Sequence, residues 1–66
     1  MTNSIKVERA RKNITQGQLA EMVGVSRQTI NAIELGKYNP STVLSLKMSR
    51  VFEVSVNDLF YLEDDD

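Results

Sequence analysis

Gln16-Gly17-Gln18-Leu19-Ala20-Glu21-Met22-Val23-Gly24-Val25-Ser26-Arg27-Gln28-Thr29-Ile30-Asn31-Ala32-Ile33-Glu34 is the stretch whose reading decides the fold. It predicts two short helices joined by a tight turn. Thr15 and Gln18 form a capping box: the threonine hydroxyl meets the third backbone N–H, and the glutamine reaches back. Leu19, Ala20 and Val23 then make a buried stripe. Gly24 ends the first helix because glycine takes positive φ without a steric penalty. Ser26 caps the second helix, which buries Ile30 and Ile33 and closes at Glu34-Leu35-Gly36. Two helices that cross at roughly 90–120° over such a turn need a small residue at the closest approach and apolar residues on the inner face. Ala20 supplies the first; Leu19, Val23, Val25, Ile30 and Ile33 supply the second. Seven positions, Gly24 included, are filled in register.

Outward from this core, an N-terminal helix is expected over about Ser4–Lys12, capped by Ser4 or Asn3 and ended by Asn13 in left-handed geometry. Its face of Ile5, Glu8, Arg9 and Lys12 offers little apolar surface. Arg9 there either lies along the core with its head in water or meets a buried anion. Lys37-Tyr38-Asn39-Pro40 reads as a loop, since proline excludes helical geometry from the residue before it. Ser41 opens a helix to about Phe52, with Leu44, Met48 and Phe52 at i, i+4 and i+8 and Val51 beside them. Of Val43 and Leu46, at least one is left partly exposed. Ser55-Val56-Asn57-Asp58 is a second capping box, opening a short helix that buries Val56 and Leu59. Phe60-Tyr61-Leu62 is too apolar to hang free: it caps the core or forms a subunit interface, and the residues leave both open.

The 66 residues suffice for one domain, and a chain of this size buries only about 60% of its unfolded surface. Without cysteine or histidine, it has no disulfide, no thiolate zinc site and no imidazole base. No nucleophile–base pair or phosphate-cradling loop is present, so an enzyme is not expected. No apolar run approaches the roughly 20 residues of a membrane span, and Met1-Thr2-Asn3-Ser4 is unlike a signal peptide; a cytoplasmic location is the default. Asn13-Ile14-Thr15 matches a glycosylation acceptor only by chance on that reading. The net charge is -1, but Glu63-Asp64-Asp65-Asp66 concentrates four acidic residues in a tail. Residues 1–62 keep eight basic and five acidic side chains, a net +3. The tail lacks the glycine and ligand spacing of a calcium loop and reads as solvated.

The run Val25–Glu34, followed by Gly36-Lys37-Tyr38-Asn39-Pro40-Ser41, resembles the Cro/C1-type (XRE) helix-turn-helix regulators, especially their short single-domain members. The resemblance covers nearly the whole chain. It implies an all-α, five-helix, lambda-repressor-like domain over residues 1–62, with the helix-turn-helix at about 16–35 and an acidic tail at 63–66. It implies a homodimer bound to a palindromic double-stranded operator, with helix 26–35 in the major groove, and repression as the expected role. By position, Arg27, Gln28, Thr29 and Ala32 face bases, while Gln16, Ser26, Lys37, Tyr38 and Asn39 face phosphates. The chemistry agrees for three of these: arginine pairs with guanine, glutamine with adenine, and threonine meets the thymine methyl. Arg9 resembles the arginine that pairs with a glutamate at the end of the recognition helix, here Glu34. Phe60, Tyr61 and Leu62 resemble the dimerising end of small members, some of which add a β-strand there. No cofactor, metal or small-molecule ligand is implied.

Four departures stand out. Leu35 occupies a position that is often polar, Gly17 replaces a better helix former, and Asn13 and Glu53 replace frequent glycines at helix ends; asparagine tolerates left-handed geometry, whereas glutamate would be strained in it. A competing function on the same fold is a protein-interaction module, such as an antitoxin or adaptor.

Overall fold

Four serine or threonine side chains set where helices begin. The computed structural model describes residues 1–66, in the order β1 (Thr2–Asn3), α1 (Ile5–Lys12), α2 (Gln16–Val23), α3 (Arg27–Glu34), α4 (Thr42–Phe52), α5 (Val56–Leu59) and β2 (Phe60–Tyr61). The Thr15 hydroxyl accepts from Gln18 N–H at 3.0 Å, and the Gln18 side chain accepts from Thr15 N–H at 2.8 Å. Ser26, Ser41 and Ser55 each accept from a backbone N–H three residues on, at 3.1 Å. At Ser55 only this half of the box forms. Ser4 does not cap α1: its hydroxyl donates to the Asp58 carbonyl. Asn3 takes over, accepting from Ile5 N–H at 3.2 Å and donating to the Ile33 carbonyl at 2.8 Å. One side chain therefore joins the start of α1 to the end of α3.

The stripes meet in one core of Ile5, Leu19, Ala20, Val23, Ile30, Ile33, Leu44, Met48, Phe52, Leu59 and Phe60. The most extensive helix–helix packing is between α2 and α3. Gly24, at φ 78°, turns the chain between them, and its N–H and that of Val25 both bond the Ala20 carbonyl. A Cβ at Gly24 would meet nothing within 4 Å, so the positive φ is what calls for glycine there. Val43 and Leu46 are both exposed, and Val56 is only half-buried.

At the C-terminus, Phe60 is 8% exposed and packs into the core, while Tyr61 and Leu62 stay exposed. The C-terminal strand exists, but its partner is the chain's own N-terminus, with Thr2 opposite Tyr61 and Asn3 opposite Phe60 in antiparallel register. The tail is exposed but not free. The Met1 ammonium lies 2.8 Å from Asp66 and 3.0 Å from Glu63. Those carboxylates, Asp66 foremost, hold the ammonium above its ordinary pKa, and it holds Asp66 below its own.

Asn13 and Glu53 both end their helices with positive φ, 55° and 57°. Asparagine tolerates this; glutamate does not do so readily, because its Cβ crowds the following carbonyl by about 1–2 kcal/mol. Glu53 gains little in return, since it is 80% exposed and only 3.6 Å from the Lys12 ammonium, a pair of small worth at a surface. Glu53→Gly is therefore expected to stabilise the domain by about 1 kcal/mol. For a domain this small, the melting temperature should rise by roughly 4–8 °C. An unchanged or lower melting temperature would show that the left-handed cap carries no strain.

Candidate nucleic-acid interface

Burial of Ile30 and Ile33 fixes which way α3 faces, and with 3.6 residues per turn the rest of its surface follows. Arg27, Gln28 and Asn31 are exposed, Ala32 is half-buried, and Leu35 just beyond the helix is 60% exposed. Thr29 sits on the flank instead. It is half-buried, and its hydroxyl lies 2.9 Å from the Ser26 hydroxyl. Arg27, Gln28 and Asn31 together line a small open concavity on the outer side.

Behind that face lies a braced polar network. Arg9 Nε donates to Glu34 Oε2 at 2.7 Å, and Arg9 Nη2 donates to Glu34 Oε1 at 3.1 Å. Arg9 Nη1 donates to the Ile14 carbonyl at 3.2 Å. The side chains of Arg9 and Glu34 are 15% and 7% exposed, so the charges are mostly withdrawn from water. The Glu34 carboxylate raises the Arg9 pKa, chiefly by accepting these hydrogen bonds, against the opposing effect of burial. This fork geometry suits the planar guanidinium and would not suit lysine. Gln16 Nε2 joins the network, donating to Glu34 Oε1 at 3.2 Å and to Asn31 Oδ1 at 3.1 Å. Helices α1, α2 and α3 are thereby tied together at one point.

The residues matched to phosphate contacts fall into two groups. Gln16 and Ser26 have side chains already engaged: both hydrogens of the Gln16 amide are used, and the Ser26 hydroxyl serves the cap and Thr29. The N–H groups of Gln16 and Gly17 remain, because the first turn of a helix has no internal partners for them. They open onto a cleft also lined by Lys6, Arg9 and Arg27. Lys37, Tyr38 and Asn39 form the second group and are all exposed. Tyr38 borders a groove with Thr29, Ser41 and Lys47.

Lys6 and Lys47 were not evident as site residues. They stand on α1 and α4, and no local pattern reveals that packing brings them beside α2 and α3. Asn31 had a signal, its i+4 spacing from Arg27 on an exposed face. Lys6, Arg27, Lys37 and Lys47 take no part in the chain's salt bridges, whereas Arg9, Arg11 and Lys12 do. Arg50 on α4 is also unpaired, and of the five unpaired cations Arg27 stands on α3 itself, with Lys6 lining the cleft beside it and Lys47 the groove beside Thr29. No trio of His, Cys, Asp or Glu is placed to hold a metal ion, and no helix is long and apolar enough to cross a membrane.

Comparison with known proteins adds an independent line. A helix-turn-helix family model matches residues 5–59. An uncharacterized HTH-type transcriptional regulator of Methanocaldococcus jannaschii is 52% identical over 66 residues, covering all of both chains. The uncharacterized HTH-type transcriptional regulator YgzD of Bacillus subtilis is 46% identical over 65 residues, 98% of each chain. A similarly described protein of Archaeoglobus fulgidus is 46% identical over 66 residues, all of this chain and 93% of its own.

Proposed function

The chain belongs to the Cro/C1-type (XRE) helix-turn-helix family of transcriptional regulators, and from that premise we propose that it acts as a homodimeric, sequence-specific repressor with α3 in the DNA major groove. The observation that carries this reading is the outer face of α3. It is polar, exposed and free of internal salt bridges at Arg27 and Gln28, while a buried ion pair and two buried isoleucines lock the helix from behind. A helix held so firmly presents its side chains without a large ordering penalty on binding. Arg27 and Gln28 are assigned to base edges, with Ala32 giving close approach and Thr29 a flanking contact. Lys37, Tyr38, Asn39, Ser26 and the N-terminus of α2 at Gln16 are assigned to phosphates, with Lys6 and Lys47 added from the geometry. Residues 1–62 form the binding domain and 63–66 an acidic appendage to it.

Titration of a labelled duplex at several salt concentrations tests the DNA reading. Phosphate contacts release counterions, so log affinity should fall steeply and linearly with log salt, with a slope of about -0.9 per neutralised phosphate. Binding that ignores salt, or no binding at all, would favour the protein-interaction module.

For the dimer, Leu62 is 82% and Tyr61 44% exposed, and the adjoining Phe60 lines a groove with Met1, Pro40, Leu46 and Val56 and with the polar Asn39, Thr42 and Ser45. Two copies joined there would present paired recognition helices to half-sites, for which about 34 Å separation is required. Leu62→Asp should shift the sedimentation of the protein from dimer to monomer while the melting of the monomer stays near that of the wild type at low concentration. Tyr61→Asp should shift sedimentation likewise but also lower the melting temperature, since the Tyr61 hydroxyl donates to the Asp58 carbonyl at 2.7 Å. Unchanged association in both variants would remove this segment from the interface.

A further inference from the structure

Asn31 stands on the outer face of α3, between Arg27 and the exposed Leu35, and its side-chain oxygen accepts a hydrogen bond from Gln16. The reason begins at Glu34. Its carboxylate has only acceptor atoms and is already held by two bonds from Arg9. A carboxamide facing it must present its NH2 group, so Gln16 has one orientation, with Nε2 toward Glu34 Oε1 at 3.2 Å. The same NH2 group also faces Asn31, 3.1 Å from Oδ1. The oxygen of Asn31 is thus the atom turned inward, and its Nδ2 is left on the exposed side, in the concavity it shares with Arg27 and Gln28. One fixed carboxylate sets the polarity of two amides in succession.

We propose that Asn31 reads a base as a hydrogen-bond donor only, with Gln16 and Glu34 as the positioning residues that hold it so. This rests on the reading that α3 enters the major groove. A free asparagine pairs with adenine through both its oxygen and its nitrogen. With the oxygen turned inward to Gln16, it no longer faces the same base edge as Nδ2, so the bidentate pair is lost and only an acceptor satisfies Nδ2. Guanine offers N7 and O6, thymine O4 and adenine N7, whereas cytosine offers a donor. The base facing Asn31 is therefore selected against cytosine, without a strong choice among the other three.

Selection from random duplexes with the full chain tests this, run in parallel on wild type, Asn31→Ala and Gln16→Ala. The wild type should deplete cytosine at one position of the site. Asn31→Ala should flatten that position alone, leave the positions set by Arg27 and Gln28 intact, and weaken binding about fivefold. Gln16→Ala releases the amide, so adenine should become enriched at that same position. A uniform loss of affinity in Asn31→Ala with every base preference retained would place Asn31 on a phosphate and overturn the proposal, as would no change at all. A Gln16→Ala profile identical to wild type would overturn the held polarity. If the wild type itself selects no site, the groove reading fails first and takes this one with it; selection by the wild type without an Asn31-dependent position refutes only the role of Asn31.

Discussion

Arg9→Ala is expected to destabilise the domain by about 3 kcal/mol, because it leaves the Glu34 carboxylate withdrawn from water with no cation. Glu34 then keeps only the Gln16 amide, and the Ile14 carbonyl loses its donor as well. Small domains have a total stability on the order of 5–15 kcal/mol, so this single change removes a large share of it. The melting temperature should fall by roughly 12 °C or more, at about 4–8 °C per kcal/mol. Glu34→Ala should do comparable damage by stranding Arg9. The double variant Arg9→Met/Glu34→Leu should recover much of the loss, since an apolar pair of similar volume carries no unpaired charge. A double-mutant cycle in urea reads the coupling directly. Additive losses would mean that the two charges are independently solvated. The pH dependence has a definite sign. The folded-state pKa of Arg9 is raised, so its contribution is complete below the unfolded value and disappears only as pH rises through the folded one. No alkaline loss from this pair is expected short of strongly alkaline conditions.

Arg27→Ala and Gln28→Ala should behave in the opposite way, weakening recognition while sparing the fold. Both side chains are exposed, and neither makes a hydrogen bond or salt bridge that holds α3 in place. The Ser26 cap and the two buried isoleucines remain, so stability should change by no more than about 0.5 kcal/mol. A well-formed side-chain–base pair contributes about 1–3 kcal/mol of discrimination. Each substitution should therefore cut the preference for the selected site by roughly 5- to 150-fold. Binding to random duplex should hardly move for Gln28→Ala, and for Arg27→Ala should fall only by the loss of one cation's worth of salt slope. Competition between selected and random duplex, with melting curves alongside, separates these effects. Equal losses on both duplexes would assign Arg27 and Gln28 to the phosphate backbone.

The contrast between these predictions mirrors what could be read in the chain itself. Cap residues Thr15, Ser26 and Ser41, the turn at Gly24 and the stripes Ile30/Ile33 and Leu44/Met48/Phe52 act over one or two turns, so their spacing alone reveals them. The Arg9–Glu34 pair spans 25 residues; residue patterns left Arg9 with two possible environments, and only resemblance to a family singled out Glu34. The pairing of Thr2–Asn3 with Phe60–Tyr61 left no trace, because strands of two residues have no periodicity and their register depends on where both chain ends arrive. That arrival also buries Phe60 and carries Asp66 to the Met1 ammonium. Among candidate site residues, Arg27 and Gln28 follow from their place after a cap on an exposed face. The polarity of Asn31 depends on an amide from α2 and a carboxylate at the end of α3, a three-body arrangement that spacing does not encode. Lys6 and Lys47 owe their positions to packing of α1 and α4.

The most direct measurement is selection by the wild-type protein from a pool of random duplexes, followed by sequencing of the bound fraction at two salt concentrations. The expected result is an enriched inverted repeat whose half-sites are centred about 10 base pairs apart, bound more weakly at the higher salt. No enriched sequence at either salt, with binding equal across the pool, would contradict a reading helix on this face of the molecule.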